Sequence, residues 1–168
     1  MTRQPSGIVR GRLSRVVLDG EIPSTLPSAL EADRAQAVAD LVAENQFVPL
    51  IAKPGTPARG PFVLHLALHD GRLVFDIRRG NGSPLVVVGL ALGPFRRLVK
   101  DYHLLVDSHV KAMEEGHAER IQAIDMGRRG LHNEGATLMR ERLDGKIAID
   151  FATARRLFTL VCVLHQRV

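Results

Sequence analysis

The chain has no tryptophan, one tyrosine and one cysteine among its 168 residues. A single cysteine, Cys162, excludes an internal disulfide and suits a reducing compartment. Its setting, Leu160-Val161-Cys162-Val163-Leu164, is that of a small buried hydrophobe rather than a nucleophile. So few aromatic rings leave no platform on which successive bases could stack, which argues against that mode of single-strand recognition. No apolar run approaches the roughly 20 residues of a membrane span. The first fifteen residues lack the apolar core of a secretion signal. A cytoplasmic protein with no membrane partner is expected. Phosphate-loop, dinucleotide and nucleophile-elbow patterns are missing, as is the zinc-protease helix His-Glu-x-x-His. His132-x-Glu134 lacks the Pro-Cys-x-x-Cys that a zinc deaminase also needs. His65 and His69 share a strand face without a third ligand nearby. No metal or cofactor is therefore expected.

What is present is a net charge of +5 placed unevenly. Arg3, Arg10, Arg12 and Arg15 face no acid in the first fifteen residues, and the remaining bases and acids almost balance. Residues 1–12 read as a flexible basic arm and 13–168 as one domain, long enough to bury a core without staples.

The clearest structural signal is Phe62 to Leu68, Asp70-Gly71, Arg72 to Arg78, Asn81-Gly82, Pro84 to Leu92. Two tight-turn dipeptides between β-rich runs predict a three-stranded antiparallel meander. Leu73, Phe75 and Ile77 fall on one face, with Arg72, Val74, Asp76 and Arg78 on the other. Leu13 to Leu18 reads as a short strand, and Ser28 with Glu31 as a capping box opening a helix at about 28–45. Phe47 to Ile51 is extended, and Pro49 argues against a regular central strand. Pro94 opens a long amphipathic helix that Gly116 stops. Helical spacing resumes from His117 to Leu143, and Asp150 caps a last helix at about 151–166. The predicted fold is α+β: the meander packed on a layer of three or four helices.

The most unusual stretch is Asp125 to Gly135. Gly127, Gly130 and Gly135 within a helical pattern each cost about 1 kcal/mol against alanine. Either the helix packs closely there, or it breaks and offers backbone N–H groups to an anion. Arg128 and Arg129 would supply guanidinium forks for phosphate or carboxylate. Arg155 and Arg156 near the start of the last helix, and Arg96, Arg97 and Lys100 at the start of the long one, oppose the helix dipole unless an anion is near. The competing reading places these arginines in salt bridges with Asp101, Asp125, Glu134 or Asp150. Asp125, His132, Asn133 and Glu134 are the other polar candidates. His132 with Glu134 or Asp125 is a conceivable acid–base pair, although a histidine holding helices together is the blander account. No catalytic residue is assigned.

Gly127-Arg128-Arg129-Gly130-Leu131-His132-Asn133-Glu134-Gly135 and Ala154 to His165 (ARRLFTLVCVLH), with Leu73 to Ile77 and Pro94 to Tyr102, resemble a small bacterial family known only as an uncharacterised protein family. The resemblance spans about residues 13–166. It implies a single-domain cytoplasmic protein without an assigned activity, cofactor or partner, and carries over no functional residue. Three functions remain open. The first is a non-enzymatic module holding a phosphate-bearing ligand, a nucleotide or an RNA backbone. The second is a structural or interaction domain, including a homo-oligomer. The third is a small enzyme built on His132.

Overall fold

The computed structural model describes residues 11–19, 26–51, 56–57 and 59–165. Strands β4 (Phe62–His69), β5 (Arg72–Arg79) and β6 (Pro84–Ala91) form the expected meander, with turn glycines Gly71 and Gly82 at φ 74° and 91°. Leu73, Phe75 and Ile77 are fully buried, as the alternation requires.

The sheet has a fourth strand. β1 (Leu13–Leu18) lies parallel to β4, so the order is β1-β4-β5-β6 and the sheet is mixed, not a purely antiparallel meander. Parallel neighbours need a long crossover. No local turn signal betrays such a pairing, whereas Asp70-Gly71 and Asn81-Gly82 announce theirs.

Helix α1 (Ser28–Ala43) buries Leu30, Ala37 and Leu41. Its cap is Pro27, without a side-chain bond, and Glu31 pairs with Arg34 instead of closing a box with Ser28. Strand β2 (Phe47–Ile51) is central after all, between β3 (Thr56–Pro57) and β7 (Ile147–Ile149). Pro49 is tolerated because the neighbours engage successive halves: β7 pairs from Phe47 to Pro49, β3 from Leu50 onward. Of the basic arm only Gly11 and Arg12 fall within the described residues. Both are anchored: the Gly11 carbonyl accepts from Phe47 N at 2.9 Å, and Arg12 donates to the Val42 carbonyl at 3.3 Å.

A 3-10 turn, Gly93–Phe95, leads into α2 (Arg96–Glu115), which Gly116 ends in a left-handed conformation at φ 70°. Helix α3 (Ala118–Leu143) runs unbroken for 26 residues through all three glycines of the unusual stretch. Helix α4 (Phe151–Leu164) starts at Asp150, whose carboxylate accepts from Thr153 N at 3.0 Å. It lies between α1 and α3, and Ala154, Leu157, Phe158 and Leu160 to Val163 are all fully buried. No helix among the described residues is long and apolar enough to cross a membrane.

The unbroken α3 decides between the two readings of its glycines. A methyl group on Gly135 would come closer than 3.0 Å to Cγ, Cδ1 and Cδ2 of Phe158, so α3 and α4 meet there at a distance only glycine permits. Gly130 faces open space. Gly135→Ala should therefore lose about 1–3 kcal/mol through overpacking. Gly130→Ala should gain up to about 1 kcal/mol through helix propensity. Urea unfolding of the two variants checks the opposite signs; equal effects would remove the packing argument.

Candidate functional site

Close approach of α3 and α4 brings His132 to Thr159. His132 Nδ1 lies 2.8 Å from the Arg128 carbonyl and Nε2 lies 3.0 Å from Thr159 Oγ1. A carbonyl only accepts, so in the neutral ring Nδ1 carries the proton and Nε2 accepts from the Thr159 hydroxyl. That hydroxyl also lies 3.2 Å from the Arg155 carbonyl one turn back. The imidazole is boxed edge-on by Tyr102 and Phe158. Burial lowers its pKa, and the Arg128 and Arg155 charges add to that, against the Arg128 carbonyl bond that favours the charged form. The ring is therefore a neutral strut between α3 and α4.

Beside it, α1 contributes Asp33. The carboxylate accepts from the Tyr102 hydroxyl of α2 and from Arg128 Nη2 of α3, the latter at 3.0 Å. The pair is three-quarters buried, and the network ties three helices together. Burial and then the bond to Asp33 push the Tyr102 phenol well above its ordinary range.

On α4, Ala152, Arg155, Arg156 and Thr159 follow helical spacing on the face opposite the core. With His132 and Asp40 of α1 they line a cleft of about 390 Å³. A smaller hollow of about 150 Å³ adjoins it, sharing Asp40, His132, Arg156 and Thr159 and reaching Asp33 and Arg128. Among the described residues, neither the Arg155 nor the Arg156 guanidinium meets an acceptor, and Arg156 Nη1 is buried without any hydrogen-bond partner. Asp40 lines the same cleft, held by Gln36 Nε2 at 2.8 Å, yet forms no ion pair with either arginine.

A model of the Uncharacterised protein family (UPF0262) matches residues 10–167. The chain belongs to the UPF0262 family. It is 64% identical to a UPF0262 protein of Granulibacter bethesdensis over 98% of this chain and 96% of that relative. It is 55% identical to one from Acidiphilium cryptum, covering 95% of each chain. It is 46% identical to one from Xanthobacter autotrophicus, covering 99% of each. No solved structure matches the chain. UPF0262 carries no assigned function, so the geometry alone must supply one.

That geometry divides the candidates. Arg128, His132, Arg155 and Arg156 converge. Arg129 is exposed and lines neither hollow. Arg97 pairs with Glu134 and, at 3.1 Å, with Asp101, so here the salt-bridge reading holds. Arg96 and Lys100 are exposed on α2, and Asn133 is exposed on α3. The acid–base pairings considered for His132 do not form, because Glu134 serves Arg97 and Asp125 lies 3.5 Å from His109. Asp33, Asp40 and Thr159 escape a reading of the sequence. Asp33 gives one clue, an acid three residues after Leu30 and four before Ala37, both buried. Thr159 gives another, a hydroxyl four residues after Arg155 within the apolar run Leu157 to Leu164.

The His132 environment has a measurable consequence. The unfolded chain takes up this proton near the ordinary value of about 6.5, and the folded chain only at lower pH. Between the two the unfolded state binds more protons, so stability falls as pH drops through that window. His165, lowered by its own burial and then by Arg96 and His103, acts in the same direction. The urea midpoint should decline as pH falls below about 6.5, and His132→Gln should make that decline shallower. A parallel pH profile in the variant would show that His132 titrates normally.

Proposed function

We propose that this UPF0262 protein is a non-enzymatic, cytoplasmic module that holds a small phosphate-bearing ligand in the cleft between α1, α3 and α4. The observation that carries the reading is Arg156 Nη1, buried with no partner beside a second unpaired guanidinium. Leaving a buried donor unsatisfied costs about 1–3 kcal/mol, and the adjacent Arg155 charge, which no described acid pairs, adds to it. A phosphate accepting from both forks would offset these terms.

The lining narrows the ligand. It contains no Phe or Tyr, so a nucleobase finds no large aromatic ring there, and the His132 ring is already boxed by Tyr102 and Phe158. Arg97 is engaged with acids and Arg129 lines neither hollow, so these two do not extend the described cleft into a basic track suited to an RNA backbone. Asp40 offers an acceptor for a hydroxyl or amine on the same molecule. A compact phosphomonoester bearing such a donor fits these features best. Arg128 belongs to the scaffold rather than to the ligand, since Asp33 holds it.

Calorimetric titration with inorganic phosphate tests the reading. The wild-type chain should give saturable binding that weakens at least tenfold in Arg155→Gln/Arg156→Met, an effect of about 1.4 kcal/mol or more. The double variant should melt no lower than wild type, because it removes an unsatisfied donor. No saturable binding by the wild type would end the proposal. Arg128→Met should behave oppositely, lowering the melting temperature by leaving Asp33 with Tyr102 alone.

A further inference from the structure

The two edges of the main sheet are treated differently. At the β1 edge, Leu13 N donates to Asn45 Oδ1 at 2.7 Å and Asn45 Nδ2 donates back to the Leu13 carbonyl at 3.0 Å. The buried amide of Asn45 thus occupies the place of a further strand at Leu13, the first residue of β1. At the other edge no described strand pairs with the outer side of β6. Edge strands are ordinarily blunted by short length, charges, an internal proline or covering elements. β6 is eight residues long, PLVVVGLA, with no charge, and its one proline stands at the first position. Val87 is 63% exposed, and the inward-facing Val86 and Val88 pack against the core but are only partly buried.

The backbone sets out what could pair there. Leu92 N donates to the Gly71 carbonyl on the β5 side at 3.2 Å. Counting back in twos, Leu90, Val88 and Val86 direct their N–H and C=O groups to β5, and Val87, Gly89 and Ala91 direct theirs outward. Near Pro84 a register shift opposite Ile77–Arg78 ends this regular alternation. The outward set is symmetric about Gly89. In an antiparallel pairing with a second β6, Gly89 faces Gly89 and Val87 faces Ala91, and each pair exchanges both of its N–H···O bonds. On the inward face the same register puts Val88 opposite Leu90 and Val86 opposite Leu92, which extends the apolar core across the junction. On the outward face only glycine, alanine and valine meet. With no charge on the strand, two copies bring no like charges together, and an acidic or basic partner finds nothing to complement.

We infer that β6 is a self-association edge: two copies of this chain pair through it antiparallel about a two-fold axis at Gly89, joining their four-stranded sheets into one. This inference does not depend on the phosphate cleft, which lies among the helices.

Sedimentation velocity on the full chain at micromolar concentration tests it. The wild type should sediment at twice the mass of one chain. Gly89→Pro removes an outward N–H without touching the ladder to β5, and Gly89→Lys, at a position where a side chain meets open space, sets two like charges face to face on the axis. Both should sediment as monomers with unchanged far-ultraviolet circular dichroism. A wild-type monomer would overturn the inference, as would a dimer that survives Gly89→Pro. Amide hydrogen exchange supplies a reading that needs no variant: the N–H groups of Val87, Gly89 and Ala91 should be protected in the wild type. Fast exchange at these three positions would contradict the pairing.

Discussion

Helix α3 passes α4 at the point where Gly135 has no side chain and the ring of Phe158 fills the space. Two polar contacts of the helical layer lie along α3 from that point. One turn before Gly135, His132 comes within hydrogen-bond distance of Thr159, one residue past Phe158. One turn further back, Arg128 reaches Asp33 on α1. A larger residue at 135 would push the helices apart and break these bonds together. Interiors are packed too densely to absorb a methyl group without displacing their neighbours.

The helices are then held by polar struts of two kinds. The Asp33 carboxylate, with donors from Tyr102 and Arg128, joins α1, α2 and α3. The neutral His132 ring joins α3 to α4 and is itself clamped by two aromatic rings. Both are satisfied internally. Satisfied polar networks specify one arrangement of a core, whereas unsatisfied groups carry a penalty. Against this background the unpaired Arg155 and Arg156 stand out. The fold finds partners for Arg97 and Arg128 and leaves this pair facing a cleft.

The same economy appears at the sheet edges. The buried Asn45 amide closes the first residue of β1 and also donates to the Leu41 carbonyl of α1. The apolar β6 receives no comparable cover from any described residue. An open edge and an unpaired cationic cleft are separate features on separate layers, and the β-meander and the helical layer share the apolar core.

The sequence by itself determined the elements whose signals are local. The meander follows from Asp70-Gly71 and Asn81-Gly82, the end of α2 from Gly116, the start of α4 from Asp150, and the core face of β5 from strict alternation. These depend on turn geometry, capping and period, which neighbouring residues set. Tertiary structure alone decided what joins distant segments. The parallel docking of β1 on β4, the central place of β2 despite Pro49, and the choice of Asp33 as the partner of Arg128 depend on crossovers that no local pattern records. The three glycines of α3 show the boundary between the two. Their sequence announces a cost to the helix. Only Phe158, far along the chain, explains why Gly135 is worth it, and nothing in contact explains Gly130.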